Sequence, residues 1–121
     1  MTLDGLNIFC AGLPHTTHVV QWSGSHVWKI GGKVFVLASA GRDVELGITF
    51  KCSPFSYELL KDQKGLRPAP YLASRGMSWI QWTGGETMDA SVLKDYLRES
   101  YRLASLNLPK KIQRELGLNL A

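Results

Sequence analysis

Cysteine is scarce in this chain, which has only Cys10 and Cys52 among its 121 residues. Two thiols cannot form the disulfide framework that holds many small secreted domains together. Because Cys is among the residue types most often buried, we expect both side chains to be free, reduced and buried.

Long hydrophobic runs are also absent. The longest, Val34-Phe35-Val36-Leu37-Ala38, is far shorter than the ~20 residues that a membrane-spanning helix needs. The opening residues Met1-Thr2-Leu3-Asp4 lack the basic and apolar regions of a signal peptide. We therefore expect no membrane association and a cytoplasmic location.

The motifs of several large enzyme folds are missing as well. There is no G-x-G-x-x-G turn, and 121 residues are too few for a TIM barrel of about 250. The composition, with 45% hydrophobic and 20% charged residues, is typical of one globular domain. We predict a single domain over residues 1–121, with no cofactor and no enzyme activity.

The charge that is present is unevenly distributed. Lys and Arg number 14 against 10 Asp and Glu, a net charge of +4. Positive and negative residues balance through residue 60, so the excess lies in the second half of the chain. This asymmetry permits a nucleic-acid partner without requiring one.

Hydrophobic spacing predicts the order α-β-β-β-β-α-β-α, beginning with an amphipathic helix. The most secure local prediction is a hairpin at Gly31-Gly32, because a glycine pair accepts the positive φ values of a two-residue turn. Strands followed by segregated helices indicate an α+β fold: two layers, with a mostly antiparallel five-stranded sheet and helices on one face. The predicted helices are residues 2–10, 54–65, 89–106 and a short basic one at 110–116, and the strands are 15–22, 27–30, 33–39, 45–52 and 78–83.

Residues 66–77 are predicted to be an ordered irregular excursion, since they contain two prolines. Basic and aromatic residues concentrate in the overlapping stretch from Lys61 to Arg75: Lys61, Lys64, Arg67 and Arg75 are opposed only by Asp62, and Tyr71, Trp79 and Trp82 lie in or just after it. Cations can neutralise phosphates while rings stack on bases, as in single-strand binding. Alternatively, Arg67 and Arg75 hydrogen-bond the carbonyl groups of the excursion itself.

Other basic residues have simpler interpretations. Lys29 and Lys33 flank the hairpin tip, which could act as a wing against a nucleic-acid groove. Lys94, Arg98 and Arg102 form a stripe on the long helix, but Asp95 and Glu99 are placed to neutralise it as i,i+3 pairs.

The histidines give no clear chemical site. In a strand, His15 and His18 point to opposite faces and cannot both bind one ion. His26 lies beside serines in what is predicted to be an ordinary turn. We therefore expect neither a metal site nor catalytic residues.

Six segments follow one another in a specific order along the chain. They are Gly12-Leu13-Pro14-His15, Gly31-Gly32-Lys33-Val34-Phe35, Lys51-Cys52-Ser53-Pro54, Arg67-Pro68-Ala69-Pro70-Tyr71-Leu72 with Trp79, Glu99-Ser100-Tyr101, and Leu108-Pro109-Lys110-Lys111. Together they resemble the MmcQ/YjbR family over nearly the whole chain. The resemblance implies a small bacterial α+β domain of the type also found in type III secretion chaperones, and members are commonly described as predicted DNA-binding proteins.

The leading hypothesis is a non-enzymatic, sequence-tolerant DNA-binding domain. One alternative is a protein-interaction module of the secretion-chaperone type, marked by exposed tryptophans; another is a small-ligand binder with a pocket at Tyr71 and Trp79. Monomer and homodimer both stay open. The candidate nucleic-acid contacts are Lys29, Lys33, Lys61, Lys64, Arg67, Tyr71, Arg75 and Trp79.

Overall fold

A computed structural model describes residues 1–22, 24–41, 44–70, 72, 76–85 and 87–119. Within these ranges the chain forms helices and strands in the order α-β-β-β-β-α-β-β-α-α. The elements are α1 (Leu3–Ala11), β1 (Thr16–Gln21), β2 (Ser25–Ile30), β3 (Lys33–Ser39), β4 (Gly47–Lys51), α2 (Pro54–Leu60), β5 (Leu66–Pro68), β6 (Trp79–Trp82), α3 (Ala90–Ser105) and α4 (Lys110–Glu115).

The strands form one antiparallel sheet in the order β1-β2-β3-β4-β6-β5. The α+β class and the antiparallel sheet are as predicted, but the predicted count of five strands is wrong because the sheet has six. The additional strand is β5, at the start of the segment predicted to be irregular. It is three residues long, ends in a proline and pairs only with β6, so no local pattern marks it.

The hairpin between β2 and β3 is confirmed. Gly31 and Gly32 have φ values of +56° and +85°, the left-handed region that a two-residue turn requires. Beyond the turn the register shifts by one residue, so that Phe35 is an extra residue opposite β2. Its fully buried ring packs edge-on against Tyr101 with the centroids 5.4 Å apart.

Helix starts follow their predicted capping residues. Ser53 accepts a hydrogen bond from the Ser56 amide with Pro54 at the first helical position, and Asp89 accepts one from the Val92 amide. Helices α1, α2 and α3 all contribute buried side chains to one core on the same face of the sheet. That core includes Leu6, Cys10, Trp28, Val36, Ala38, Ile48, Phe50, Cys52, Leu60, Ile80, Trp82, Leu93 and Leu97.

The prediction that both thiols are free and buried is confirmed for Cys10 and Cys52. Burial raises the pKa of the Cys10 thiol to about 12 and that of Cys52 to about 11. No helix in the described ranges combines the length and apolarity that crossing a membrane demands.

Candidate functional site

The sheet face opposite the helices, called here the outer face, is defined by strand register. One row of paired residues runs across all six strands: Val19, Val27, Leu37, Thr49, Gln81 and Arg67. A second row beside it has two separate parts, because β3 and β4 are not paired at this level. The parts are Thr17, Lys29 and Val34 on β1 to β3, and Lys51 and Trp79 on β4 and β6.

Every charged side chain of the six described strands is basic. Lys29, Lys51 and Arg67 belong to the two outer-face rows, and Lys33 stands at the hairpin tip. Within the described ranges no ion pair with a carboxylate joins Lys29, Lys33 or Lys51. Three lysines on or beside the outer face therefore have no carboxylate partner in the part of the chain that the structure describes.

A groove of about 320 Å³ joins this face to the end of α3, and two of the lysines line it. Lys33 and Lys51 meet there with apolar side chains from the strands and the excursion, and with Ala104 and Asn107 at and just beyond the end of α3. Leu72 and Met77 form the excursion's side of the groove, and Trp79 belongs to its floor. We call this feature the outer-face groove; it joins ammonium groups to an apolar surface.

Trp22 forms the exposed aromatic part of the outer-face groove. It follows the end of β1, has φ +50° and leaves 64% of its side-chain surface in solvent. A bulky residue in the left-handed region is an outlier that costs conformational energy. Because Trp22 is mostly exposed, another flat ring could stack on its indole.

Lys51 is positioned by a buried serine on α3. Ser100 Oγ donates to the Phe35 carbonyl at 2.6 Å and accepts from the Lys51 amide at 2.8 Å. These bonds join β3 and β4 beyond the point where their pairing ends at Val36 and Phe50. The Glu99-Ser100-Tyr101 segment of the family resemblance thus fixes the end of β4 that presents Lys51.

The structure places the residues predicted in the segment from 61 to 75 in different environments. Lys61 forms a 2.8 Å ion pair with Glu58, which raises the pKa of the lysine, while Lys64 is exposed. Arg67 is half-buried and its Nε donates to Gln81 Oε1 at 2.7 Å. This contact resembles the structural alternative for Arg67, although its acceptor is a strand side chain and not a carbonyl of the excursion.

The two aromatic candidates, Trp79 and Tyr71, also differ in what the structure shows of them. Trp79 is only 5% exposed, so its ring forms part of the sheet surface and offers little area for stacking. Tyr71 and Arg75 lie outside the described residues. Of the eight predicted contacts, the structure brings Lys33 and Trp79 to the outer-face groove, with Lys29 and Arg67 on the same face of the sheet.

The predicted neutralisation of the basic stripe on α3 is confirmed. Arg98 pairs with Asp95 at 2.9 Å and Arg102 with Glu99 at 2.6 Å. Arg98 also lies over the Phe9 ring of α1, 5.1 Å from its centroid. Two of the three cations in this stripe therefore have carboxylate partners.

Two groove residues, Lys51 and Trp22, were not among the predicted nucleic-acid contacts; Trp22 was considered only as an exposed tryptophan of the protein-interaction alternative. A signal existed for Lys51, because its alternation with Phe50 and Cys52 places it on the solvent side of β4. No comparable signal existed for Trp22, whose exposure depends on the conformation of the turn after β1.

Comparison with known proteins finds relatives that are similar in sequence and in fold. The chain is 32% identical over 92 residues to the uncharacterized protein YbdF of Escherichia coli O157:H7, covering 74% of this chain and 72% of the relative. The crystal structure of Deinococcus radiodurans protein DR2400, with a DUF419 domain, has a TM-score of 0.83 at 27% identity. That match covers 97% of this chain and 88% of the other.

A protein from Pseudomonas syringae has the same fold at 17% identity, with a TM-score of 0.70 over 86% of this chain and 99% of its own. The model of the YjbR family matches residues 11–103, from the end of α1 through most of α3. The outer-face groove and the segments that carry the resemblance fall largely within that range. The chain belongs to the YjbR family.

Proposed function

We propose that this protein is a non-enzymatic, sequence-tolerant DNA-binding domain that holds a single strand on the outer face of its sheet. The observation that carries the proposal is the charge of the sheet: the six described strands contain four basic side chains and no carboxylate, and three of the four belong to the outer-face rows. Phosphate contacts supply most of the affinity of sequence-tolerant binding.

The outer-face groove supplies the second element of such a site. Single-strand binders combine a cationic track for the backbone with aromatic rings for the bases. Lys33 and Lys51 provide the cations, and Trp22, 64% exposed, provides the ring. Because every base has a π-face, stacking of this kind discriminates little between sequences.

The test compares charge removal on the two sides of the molecule. Fluorescence anisotropy of a labelled single-stranded oligonucleotide measures the dissociation constant over a range of salt concentrations. In the double variant Lys33→Gln and Lys51→Gln, affinity should fall, and the slope of log K against log salt should decrease by about 0.7 for each lysine removed.

The matched control is the double variant Lys94→Gln and Arg98→Gln, which removes two charges from α3. Both groups lie over Phe9, on the helix layer and away from the outer face. The salt slope of this variant should equal that of the unmodified protein. Equal losses in both double variants, or no salt-dependent binding at micromolar protein and low salt, would contradict the proposal.

One observation favours a small-ligand function instead. Trp79 Nε1 is buried and has no hydrogen-bond partner among the described residues. Buried polar groups are nearly always paired, so an orphaned donor beside a groove points to an acceptor that a ligand could bring. A flat anionic molecule would fit the mixture of apolar walls and lysines.

Thermal-shift measurements distinguish the two functions. A small-ligand binder should be stabilised by individual nucleotides or aromatic carboxylates, since a ligand that binds only the folded state raises its stability. A single-strand binder should respond to oligonucleotides and hardly at all to mononucleotides. Trp79→Phe removes the N–H donor. It should weaken small-ligand binding and leave the salt slope for oligonucleotides unchanged.

A further inference from the structure

Two histidines face each other across the strand pair β1 and β2. His18 Nε2 and His26 Nδ1 are 3.0 Å apart, so one nitrogen carries a hydrogen and the other accepts it. Register makes the two residues diagonal neighbours, because His18 pairs directly with Trp28 and His26 with Val20. The pair was not anticipated from the sequence, where only His15 and His18 are close together.

The His18 ring is supported by its surroundings. It stacks on Trp28 with the centroids 4.6 Å apart and the planes 18° apart. Trp28 is fixed in turn by a 2.9 Å hydrogen bond from its Nε1 to Asn7 Oδ1 of α1. His18 is exposed and His26 half-buried, so solvent and solutes reach the pair.

We propose that His18 and His26 form a binding site for a divalent transition-metal ion of the Cu²⁺ or Ni²⁺ type. Two nitrogens that each lie about 2.1 Å from one ion are about 3.0 Å apart when they occupy adjacent positions at about 90°. Adjacent positions at this angle are typical of the tetragonal geometry that Cu²⁺ and Ni²⁺ prefer.

Both facing nitrogens must offer a lone pair to bind one ion. Whichever ring donates the hydrogen within the pair, exchange to its other tautomer moves that hydrogen to the far nitrogen and frees the second lone pair.

The number of ligands determines which metals fit. The described residues contain no group of three or more His, Cys, Asp or Glu positioned around one ion. Structural zinc sites use four protein ligands and catalytic ones three, so this pair suits Zn²⁺ poorly. Affinity for a two-imidazole site should follow the general order in which Cu²⁺ exceeds Ni²⁺, with water filling the other positions.

The experiment titrates the untagged protein with copper sulfate at pH 7.5, using isothermal calorimetry and tryptophan fluorescence. We expect one ion per chain at micromolar concentration and saturable quenching, since the His18 ring stacks on Trp28. His18→Gln and His26→Gln should each weaken binding at least about tenfold. Circular dichroism verifies that both variants fold.

The third histidine, His15, offers a matched control. It precedes β1 and takes no part in the pair, so His15→Gln should bind copper as the unmodified protein does. Binding that survives both His18→Gln and His26→Gln, or that His15→Gln reduces equally, would overturn the proposal. So would the absence of stoichiometric binding at micromolar copper. The pair lies on the helix side of β1 and β2, so failure here would leave the outer-face proposal unaffected.

Discussion

Trp22 links backbone strain to the proposed binding surface at the scale of one residue. Its φ of +50° is a conformation that Asn adopts more readily than a bulky aromatic residue does. Trp22→Asn should therefore keep or raise the free energy of unfolding, by up to about 1 kcal/mol. The same change should weaken single-strand binding by about 1–3 kcal/mol, the contribution of one stacked base.

The control for this substitution is Phe55→Asn. Phe55 is 75% exposed on α2 and does not line the outer-face groove, so its loss should leave DNA affinity unchanged. Urea denaturation measures stability and anisotropy measures binding. An equal loss of affinity in both variants would show that the exposed ring of Trp22 has no particular role.

Ser100 is the residue on which the junction of β3 and β4 depends. It is fully buried and satisfies the Phe35 carbonyl and the Lys51 amide with one hydroxyl. Ser100→Ala leaves the buried Phe35 carbonyl and the partly buried Lys51 amide without this partner, and the free energy of unfolding should fall by about 2 kcal/mol. Urea denaturation provides the measurement.

Ser91→Ala serves for comparison, because Ser91 is exposed in the first turn of the same helix. We expect this change to alter stability by less than about 0.5 kcal/mol. If both variants lost the same small amount, the Ser100 bridge would contribute little to stability.

At the scale of elements, attachment of β5 to the sheet depends on Gly65. The residue has φ +82°, its carbonyl accepts the Thr83 amide at 2.9 Å, and an added Cβ would clash with the Gly84 carbonyl oxygen. Gly65→Ala therefore combines left-handed strain with a backbone collision. Unfolding free energy should fall by more than the about 1–2 kcal/mol of the strain alone.

The Gly117→Ala variant separates the contribution of left-handed strain from that of the backbone collision. Its φ is +70°, but nothing lies within 4 Å of an added Cβ, so Gly117→Ala should show only the strain. Thermal melts of the two variants give the difference directly. A similar loss in both would mean that the loop at Gly84 yields to the added methyl group.

Over the whole molecule, the sequence allowed prediction of features set by local patterns. The amphipathic spacing of α3, the capping residues Ser53 and Asp89, and the glycine pair in the hairpin all act over a few neighbours. The family resemblance is confirmed by the match over residues 11–103. β5 escaped prediction because it forms through pairing with β6, which follows it after an intervening loop.

Prediction of the candidate site was limited because local patterns identify residue types but do not show which side chains share a face of the sheet. The basic strand residues Lys29, Lys33 and Arg67 could be singled out by type, whereas their common face depends on register across the sheet. Counting charges from residue 61 to 75 placed Lys61 in an uncompensated cluster, but its partner Glu58 lies just before that window, one helical turn away. The histidine pair depends on the diagonal neighbours that β1 and β2 create.

The two buried thiols can report how often the folded protein opens. Cys10 is 0% and Cys52 2% exposed, and both hold their protons far above neutral pH. Only a thiolate in contact with solvent reacts with an alkylating reagent. Each labelled chain has therefore exposed the labelled thiol at least once, so the rate of alkylation measures how often the core opens around Cys10 or Cys52, without any probe being added to the sequence.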